Sequence, residues 1–157
     1  MLKQMLKKIK DKKIEFKELK ENGYCVYFKN GVYYTKGLLD HFSIPEFEIN
    51  LPCIDSECAF DNIDYYVDRA LTKRDIQDNT LIIDPQGRGT LFKKVIGIYN
   101  RLESIRIIFE DGQLHMPWDE ECIDDFKNQY DGVVNTNDIN IIFDKQEEIY
   151  DKSIQSY

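Results

Sequence analysis

The spacing of hydrophobic residues changes several times along the chain, and each change separates a predicted helix from a predicted strand. Apolar residues recur about once per helical turn in two segments, residues 2–20 and residues 56–74. Asp55, Ser56 and Glu57 open the second segment, and capping side chains with early negative charge are typical of a helix N-terminus. Both segments are therefore predicted to be amphipathic helices.

The clearest local pattern is a β-hairpin between Tyr24 and Lys36. Two runs of β-branched and aromatic residues flank Asn30-Gly31, and Asn-Gly supplies the two positive-φ residues that a type I′ turn requires. The same reasoning predicts further strands, a short helical turn and a second capped helix. The strands are 47–51, 81–83, 91–98, 105–109, 113–116 and 140–143, the helical turn is 38–42, and the second helix, opened by Asp119, runs from Glu120 to about Tyr130.

The order of these elements predicts the fold class. Consecutive strands joined by tight turns favour an antiparallel sheet, on which the helices are expected to pack. The chain has 157 residues, of which 42% are hydrophobic, so one domain with a substantial core is expected. We predict a single α+β domain over residues 1–145, followed by a C-terminal tail over residues 146–157 that is frayed or weakly helical.

The charge of the chain is divided unevenly. Residues 1–20 contain eight lysines and three carboxylates, a net charge of +5. Because the whole chain has a net charge of −8, the residues after 20 carry −13. An acidic body repels nucleic-acid phosphates. The lysine-rich segment is therefore interpreted as the solvated face of a helix, with nucleic-acid binding as the lesser alternative, and another protein is the expected partner.

The sequence also predicts a compartment. No apolar run approaches the roughly 20 residues that a membrane span needs. The first residues lack the apolar core and the small-residue cleavage site of a signal peptide. A cytoplasmic location without membrane contact is expected, with Cys25, Cys53, Cys58 and Cys122 as reduced thiols.

Metal and phosphate binding have weak support in the sequence. Cys53 and Cys58 are near the spacing of zinc ligands, but no second pair follows, and His115 and Cys122 would complete a site only if the fold brought them together. Residues 87–90, Gly-Arg-Gly-Thr, precede a strand rather than a helix, so a hairpin turn is a simpler interpretation than a phosphate loop. We predict no metal and no cofactor.

Chemistry-bearing side chains are concentrated in residues 114–122, which hold the single tryptophan, a histidine and three successive carboxylates. The stretch is typical of a strand-to-helix junction. Pro117 sets φ, Trp118 anchors against the core, and Asp119 caps the helix. The two glutamates that follow interact favourably with the helix dipole. His115 alternates with apolar neighbours, so it is expected at the solvent side or the rim, with general-base work as the alternative.

Four short motifs occur in order along the chain, and together they resemble those of a known family. They are Gly23-Tyr24, Tyr34-Thr35-Lys36-Gly37-Leu38, Pro45-Glu46 and Pro117-Trp118-Asp119. The arrangement is similar to that of the bacterial domain-of-unknown-function family 4262, from about residue 5 to about residue 125. The resemblance implies a bacterial or phage setting and a fold, not an activity. Asn22 and Ser43-Ile44 replace positions where that family commonly has histidines, which argues further against an enzyme.

Two functional hypotheses follow. The first is a non-catalytic protein-binding module, immunity-like or inhibitor-like, whose acidic face meets a basic partner. The net charge of −13 beyond residue 20 and the tyrosine pairs Tyr33-Tyr34 and Tyr65-Tyr66 support it.

The second hypothesis is a small-ligand pocket or a hydrolase-like enzyme that uses Glu46 and Asp119. It requires residues from separate segments to converge. The candidate binding residues are Tyr34, Thr35, Gly37, Glu46, His115, Trp118 and Asp119. The alternative for each of them is a purely structural role in the core or at a cap.

Overall fold

The Asn-Gly pair folds the chain into the hairpin that its sequence predicts. Asn30 and Gly31 adopt φ values of +49° and +81°, which are the left-handed values of a type I′ turn. The computed structural model describes residues 23–133 and 138–144. The predicted helix over residues 2–20 and the predicted tail over residues 146–157 lie outside these described residues.

Seven strands, three helices and one 3-10 turn make up the regular structure of the described residues. The strands are β1 (Cys25–Lys29), β2 (Val32–Lys36), β3 (Glu46–Asn50), β4 (Thr80–Ile83), β5 (Gly89–Ile96), β6 (Glu103–Phe109) and β7 (Asn140–Phe143). The helices are α1 (Leu38–Phe42), α2 (Ser56–Thr72) and α3 (Asp124–Lys127), and a 3-10 turn, Asn128–Tyr130, continues α3. The bounds of these seven strands, of α1 and of α2 agree with the sequence predictions to within about two residues.

The strands form one mixed sheet in the order β1-β2-β3-β6-β5-β4-β7. One antiparallel meander consists of β1, β2 and β3, and another consists of β4, β5 and β6. β3 and β6 are parallel where the two meanders meet, and β7 is parallel to β4 at the edge. The predicted fold class, a single α+β domain with a mostly antiparallel sheet and packed helices, is confirmed.

The helix α2 covers one face of the sheet. Its buried residues Ala59, Ile63 and Val67 follow the helical repeat and share a core with strand side chains such as Phe47 and Phe92. Complete burial of a side chain as large as Ile63 stabilises the fold by roughly 1.5–3 kcal/mol. No helix among residues 23–133 and 138–144 is long and apolar enough to cross a membrane.

A row of polar side chains crosses the opposite face of the sheet. Tyr34 is paired with Glu48, Glu48 with Arg106, and Arg106 with Lys93. Directly paired residues project to the same face, so these four side chains lie side by side. All four are buried, and three of them carry a formal charge, so this half of the interior is held by paired polar groups as well as by apolar packing.

The centre of this row is a buried ion pair. Arg106 Nε donates to Glu48 Oε2 at 2.7 Å, and Glu48 Oε1 accepts the N–H of Ile98 at 3.0 Å. Arg106 Nη1 donates to the carbonyl oxygens of Gln129, at 3.0 Å, and of Asp131. The pair therefore fastens the loop after β5 and the segment after α3 to the two central strands.

A second ion cluster fixes the edge strand β7. Arg69, which is buried near the end of α2, donates to both carboxylate oxygens of Asp75 and of Asp144. Hydrogen bonding to Asp75 raises the pKa of the Arg69 guanidinium, and the same contact lowers the pKa of Asp75. Asp144 directly follows β7, so the cluster ties this strand to the helix.

The predicted strand over residues 113–116 is wrong. Asp111 Oδ1 accepts the N–H groups of Gln113 and His115 at 2.8 and 2.9 Å, and Leu114 has a φ of +65°. The carboxylate thus takes the backbone donors that a strand would offer to its neighbour. A turn replaces the strand.

The predicted start of the helix over residues 120–130 is also wrong. Asp119 Oδ2 accepts the N–H of Met116, a preceding residue, at 2.8 Å, whereas an N-cap accepts from residues that follow it. The helix α3 consequently begins at Asp124. Trp118 is not anchored in the core as predicted, because 44% of its surface is exposed; its ring contacts the partly buried Tyr130 edge to face.

Replacing Arg106 with Met is expected to lower the free energy of unfolding by about 3–5 kcal/mol, because it leaves the Glu48 carboxylate buried without its cation. The double variant Glu48→Leu/Arg106→Met should be less destabilised than Arg106→Met alone, since no buried carboxylate then remains without its cation. Urea denaturation of the two variants and the wild type measures both effects. A double variant that is no more stable than Arg106→Met would contradict this account of the pair.

Candidate functional site

The structure separates the predicted site residues into three places. One group is Thr35, Gly37 and Glu46, another is His115, Trp118 and Asp119, and Tyr34 stands apart from both. Glu46 is paired with Ser104 near the start of β6, whereas the second group belongs to the loop that follows the end of β6. The two ends of this strand are about 17 Å apart. No hydrogen bond or ion pair within the described residues joins Glu46 to Asp119.

The first group caps the short helix α1. Gly37, at the N-cap position with a φ of +108°, has no side chain to accept the first backbone donors. Glu46, in β3, supplies the missing acceptor. Its Oε1 accepts the N–H of Leu38 at 3.2 Å, and its Oε2 accepts the N–H of Leu39 at 3.1 Å. Thr35 donates its hydroxyl to Oε1 at 2.9 Å. Both oxygens of this buried carboxylate are therefore engaged in a structural role.

Tyr34 lies in an aromatic cluster on the polar face of the sheet. Its ring stacks on Tyr27, with centroids 5.4 Å apart, and contacts Tyr99 at 5.6 Å. The amines of Lys29 and Lys36 lie over the rings of Tyr99 and Tyr27. Tyr34 itself is buried, so the cluster supports the sheet rather than presenting Tyr34 to a ligand.

The loop after β6 is organised by one buried carboxylate, that of Asp111. Besides the N–H groups of Gln113 and His115, Asp111 accepts the N–H of Ile123 at 3.3 Å and meets His115 Nδ1 at 3.2 Å. Burial acts to raise the pKa of Asp111, but these four contacts outweigh it and hold the pKa below its usual range. The contacts place residues 113–115 beside Ile123 and close the loop.

His115 is held between two carboxylates. Its Nδ1 faces Asp111, and its Nε2 lies 3.1 Å from Glu121 Oε2. The side chain is partly exposed, as the predicted rim position requires. A carboxylate that orients a histidine is also found in catalytic dyads, but the ring meets no serine, threonine or cysteine side chain in the part of the chain described.

The surface of this loop combines exposed apolar side chains with carboxylates. Leu114, Trp118 and Ile123 are each about half exposed, at 55%, 44% and 50%. The carboxylates that accompany them belong to Asp119, Glu120, Glu121, Asp124 and Asp125. We call residues 114–125 the acidic loop surface. Lys127 is the lysine nearest in sequence to this surface, and its amine donates to the carbonyl oxygen of Glu120 at 3.0 Å.

Sequence reasoning missed Asp111 as the organiser of this surface. The Asp-Gly pair at 111–112 was visible as a turn signal, but a turn signal does not show that the carboxylate will be buried with four partners. The sequence also suggested that the tyrosine pairs contact a protein partner, but three of the four side chains are buried. Tyr33, Tyr34 and Tyr66 are at most 9% exposed, whereas Tyr65 is 54% exposed.

The structure offers no preformed metal centre in its described part, since no group of three or more His, Cys, Asp or Glu side chains there is arranged to hold a metal ion. Cys53 and Cys58 are exposed free thiols, and Cys25 and Cys122 are buried free thiols. Burial, reinforced by the charge of Asp111, raises the pKa of the Cys122 thiol, which disfavours the thiolate that a nucleophile or a zinc ligand needs. Gly87 and Arg88 lie in the turn between β4 and β5, and Gly89 and Thr90 begin β5, so this stretch is part of a hairpin as predicted.

The comparisons with known proteins leave the family open. No family model matches the chain, and no curated protein and no solved structure matches it either. The resemblance to the domain-of-unknown-function family 4262 therefore stays a prediction from the four motifs.

Replacing Asp111 with Asn is expected to loosen the acidic loop surface, because an amide nitrogen cannot accept the N–H of Ile123. Hydrogen exchange at pH 7 should accelerate at the amides of Gln113, His115 and Ile123. Asp125→Asn, a change at an exposed carboxylate of the same surface in α3, is the control and should leave these amides unchanged.

The effect of Asp111→Asn should depend on pH. A carboxylate whose pKa is lowered by folding contributes stability above its ordinary pKa of 3.8, and this contribution is lost as the pH falls through the lower folded value. Denaturation curves of the wild type and Asp111→Asn should therefore differ at pH 7 and converge under strongly acidic conditions. A difference that grows on acidification would contradict the assigned role.

Proposed function

We propose that this protein is a non-catalytic binding module that engages a basic protein partner through the acidic loop surface. The observation that carries the proposal is the combination of three half-exposed apolar side chains with five carboxylates in residues 114–125, the loop and first turn of α3 that a buried carboxylate holds in shape. Loops positioned by a rigid scaffold are common sites of recognition.

The composition of the surface favours a protein partner. Interfaces are built around an aromatic anchor surrounded by polar residues, and Trp118 with Leu114 and Ile123 provides such an anchor. The carboxylates of the surface repel nucleic acid and attract lysine and arginine side chains. The net charge of −8 on the whole chain acts in the same direction at longer range.

The geometry favours binding over catalysis. Glu46 caps α1 by accepting two backbone N–H groups and also accepts the Thr35 hydroxyl, Asp119 accepts a backbone N–H within its own loop, and His115 is held between two carboxylates. Each candidate catalytic side chain thus has a structural task. An inhibitor-like or immunity-like protein that covers a basic surface, such as the substrate-binding surface of a nuclease, is the finer form of the proposal.

The loop must be fixed for this proposal to hold. A preorganised loop loses little conformational entropy on binding, so more of its contact energy appears as affinity. Four contacts of Asp111 fix the loop internally, and the Arg106 contacts with Gln129 and Asp131 fix the segment that follows it. The ion pair in the sheet therefore supports the binding surface indirectly.

The test compares two double variants that change the net charge by the same amount. Glu120→Lys/Asp124→Lys alters the acidic loop surface, whereas Asp61→Lys/Asp68→Lys alters exposed positions on α2. We expect one basic protein to co-purify at fixed stoichiometry from the source cells with the wild type and the α2 variant, and to be lost with the loop variant. Equal recovery with both variants, or recovery with neither the wild type nor the α2 variant, would contradict the proposal.

Trp118 provides a second test with the purified partner. Replacing Trp118 with Ala should weaken binding by at least about tenfold, as truncation of a central aromatic anchor does. In the wild type, the fluorescence of this single tryptophan should change on complex formation, and the association rate should fall as salt is added. Unchanged affinity after Trp118→Ala would exclude the loop as the contact.

A further inference from the structure

A second feature of the molecule is a cleft between α2 and the hairpin that joins β4 to β5. Its volume is about 390 Å³, which lies within the range of pockets that bind small molecules. Leu51, Phe109 and Phe126 supply apolar surface to the lining. Arg88 and Glu110 supply charge, so the cleft has the mixed lining of a ligand site rather than that of a packing defect.

Glu110 is built into the wall of this cleft. Its Oε1 accepts the N–H of Gly89 at 2.8 Å. A Cβ on Gly89 would lie 2.8 Å from that oxygen, so a side chain at this position would push the carboxylate away from the backbone. The hydrogen bond holds the carboxylate against the start of β5.

The second oxygen of Glu110 lacks a partner. Oε2 is shielded from bulk solvent and accepts no hydrogen bond from any residue in the described part of the chain. A buried carboxylate oxygen without a partner costs free energy, and most buried polar groups in proteins are satisfied. A ligand that brings a donor into the cleft would satisfy this oxygen after a small rotation of the side chain.

The local charges define what this ligand should be. Burial raises the pKa of Glu110, and the nearby carboxylates of Asp84 and Asp111 raise it further, against the opposing effects of the Gly89 N–H and of Arg88. The surroundings therefore disfavour the ionised form of Glu110. A cation beside the carboxylate would offset both the cost of burying its charge and the repulsion from its neighbours.

We propose that the cleft binds a small organic cation, a primary ammonium or guanidinium compound, with Glu110 as its counter-ion and the apolar lining around its hydrocarbon part. The cation donates to Glu110 Oε2, and its alkyl or aryl portion packs against Leu51, Phe109 and Phe126. No residue of the acidic loop surface lines this cleft, and the site involves neither Glu46 nor Asp119, the carboxylates that the sequence had suggested for a ligand pocket.

The test uses n-butylammonium and n-butylguanidinium as probes, with n-butanol as the neutral control. Titrations followed by ¹H–¹⁵N NMR should shift the amides of Gly89 and Glu110 with both cations and leave them unshifted with n-butanol. The affinity should rise as the pH increases from the ordinary Glu value of 4.5 towards 8, because the ionised carboxylate binds the cation. No shift with either cation, or an affinity that falls over this range, would overturn the proposal.

Two variants connect the binding to Glu110. Glu110→Gln keeps an acceptor for the Gly89 N–H and removes the charge, so it should weaken cation binding at least about tenfold, the effect of losing a charged hydrogen-bond partner. Glu57→Gln, at an exposed position on α2, is the matched control and should bind as the wild type does. Equal weakening in both variants would show a general charge effect and overturn the proposal.

Stability measurements separate a loss of binding from a loss of folding. Because folding raises the pKa of Glu110, the stability of the wild type falls as the pH rises through the folded pKa, and Glu110→Gln escapes this loss. At pH 8 the variant should therefore be at least as stable as the wild type while failing to bind. The variant Glu120→Lys/Asp124→Lys should keep cation binding even if the proposed protein partner is lost, so each proposal can fail alone.

Discussion

The buried ion pair between Glu48 and Arg106 is the interaction on which the rest of the structure depends. It joins the two strands at which the meanders meet, β3 and β6, and its remaining hydrogen-bonding groups hold the loop at Ile98 and the carbonyl oxygens of Gln129 and Asp131. An apolar pair of the same volume would fill the space, but it would leave these backbone groups without partners. The pair therefore positions the peripheral segments as well as linking the strands.

Buried carboxylates organise this protein at several points, each by accepting backbone N–H groups. Glu46 caps a helix whose own N-cap is a glycine, Glu48 holds the loop after β5, and Asp111 closes the loop after β6. A charged acceptor makes stronger hydrogen bonds than a neutral one. The acidic composition thus has two uses: a few carboxylates fix the backbone inside, and the carboxylates of residues 119–125 contribute to the proposed binding surface.

The elements that could be read from the sequence are those with a strong local signal. Asn30-Gly31 determines its turn, and the apolar repeat of α2 determines its length within a turn, because backbone conformation and the helical period depend on near neighbours. The loop after β6 could not be read in this way. Its pattern suggested a strand and a helix, but Asp111 and Asp119 bind backbone donors that both elements would need.

The sequence by itself determined the α+β class, the hairpin, the strands from β3 onwards and the excess of acidic charge, since each follows from local pattern or composition. The tertiary structure decided which polar residues serve the fold and which remain exposed. Glu46 and Asp119 looked alike as candidates, yet each accepts backbone N–H groups in its own region, while Glu110 keeps an oxygen without a described partner. The physical reason is that a carboxylate's role depends on the donors around it, and strand pairing brings those donors from distant parts of the chain.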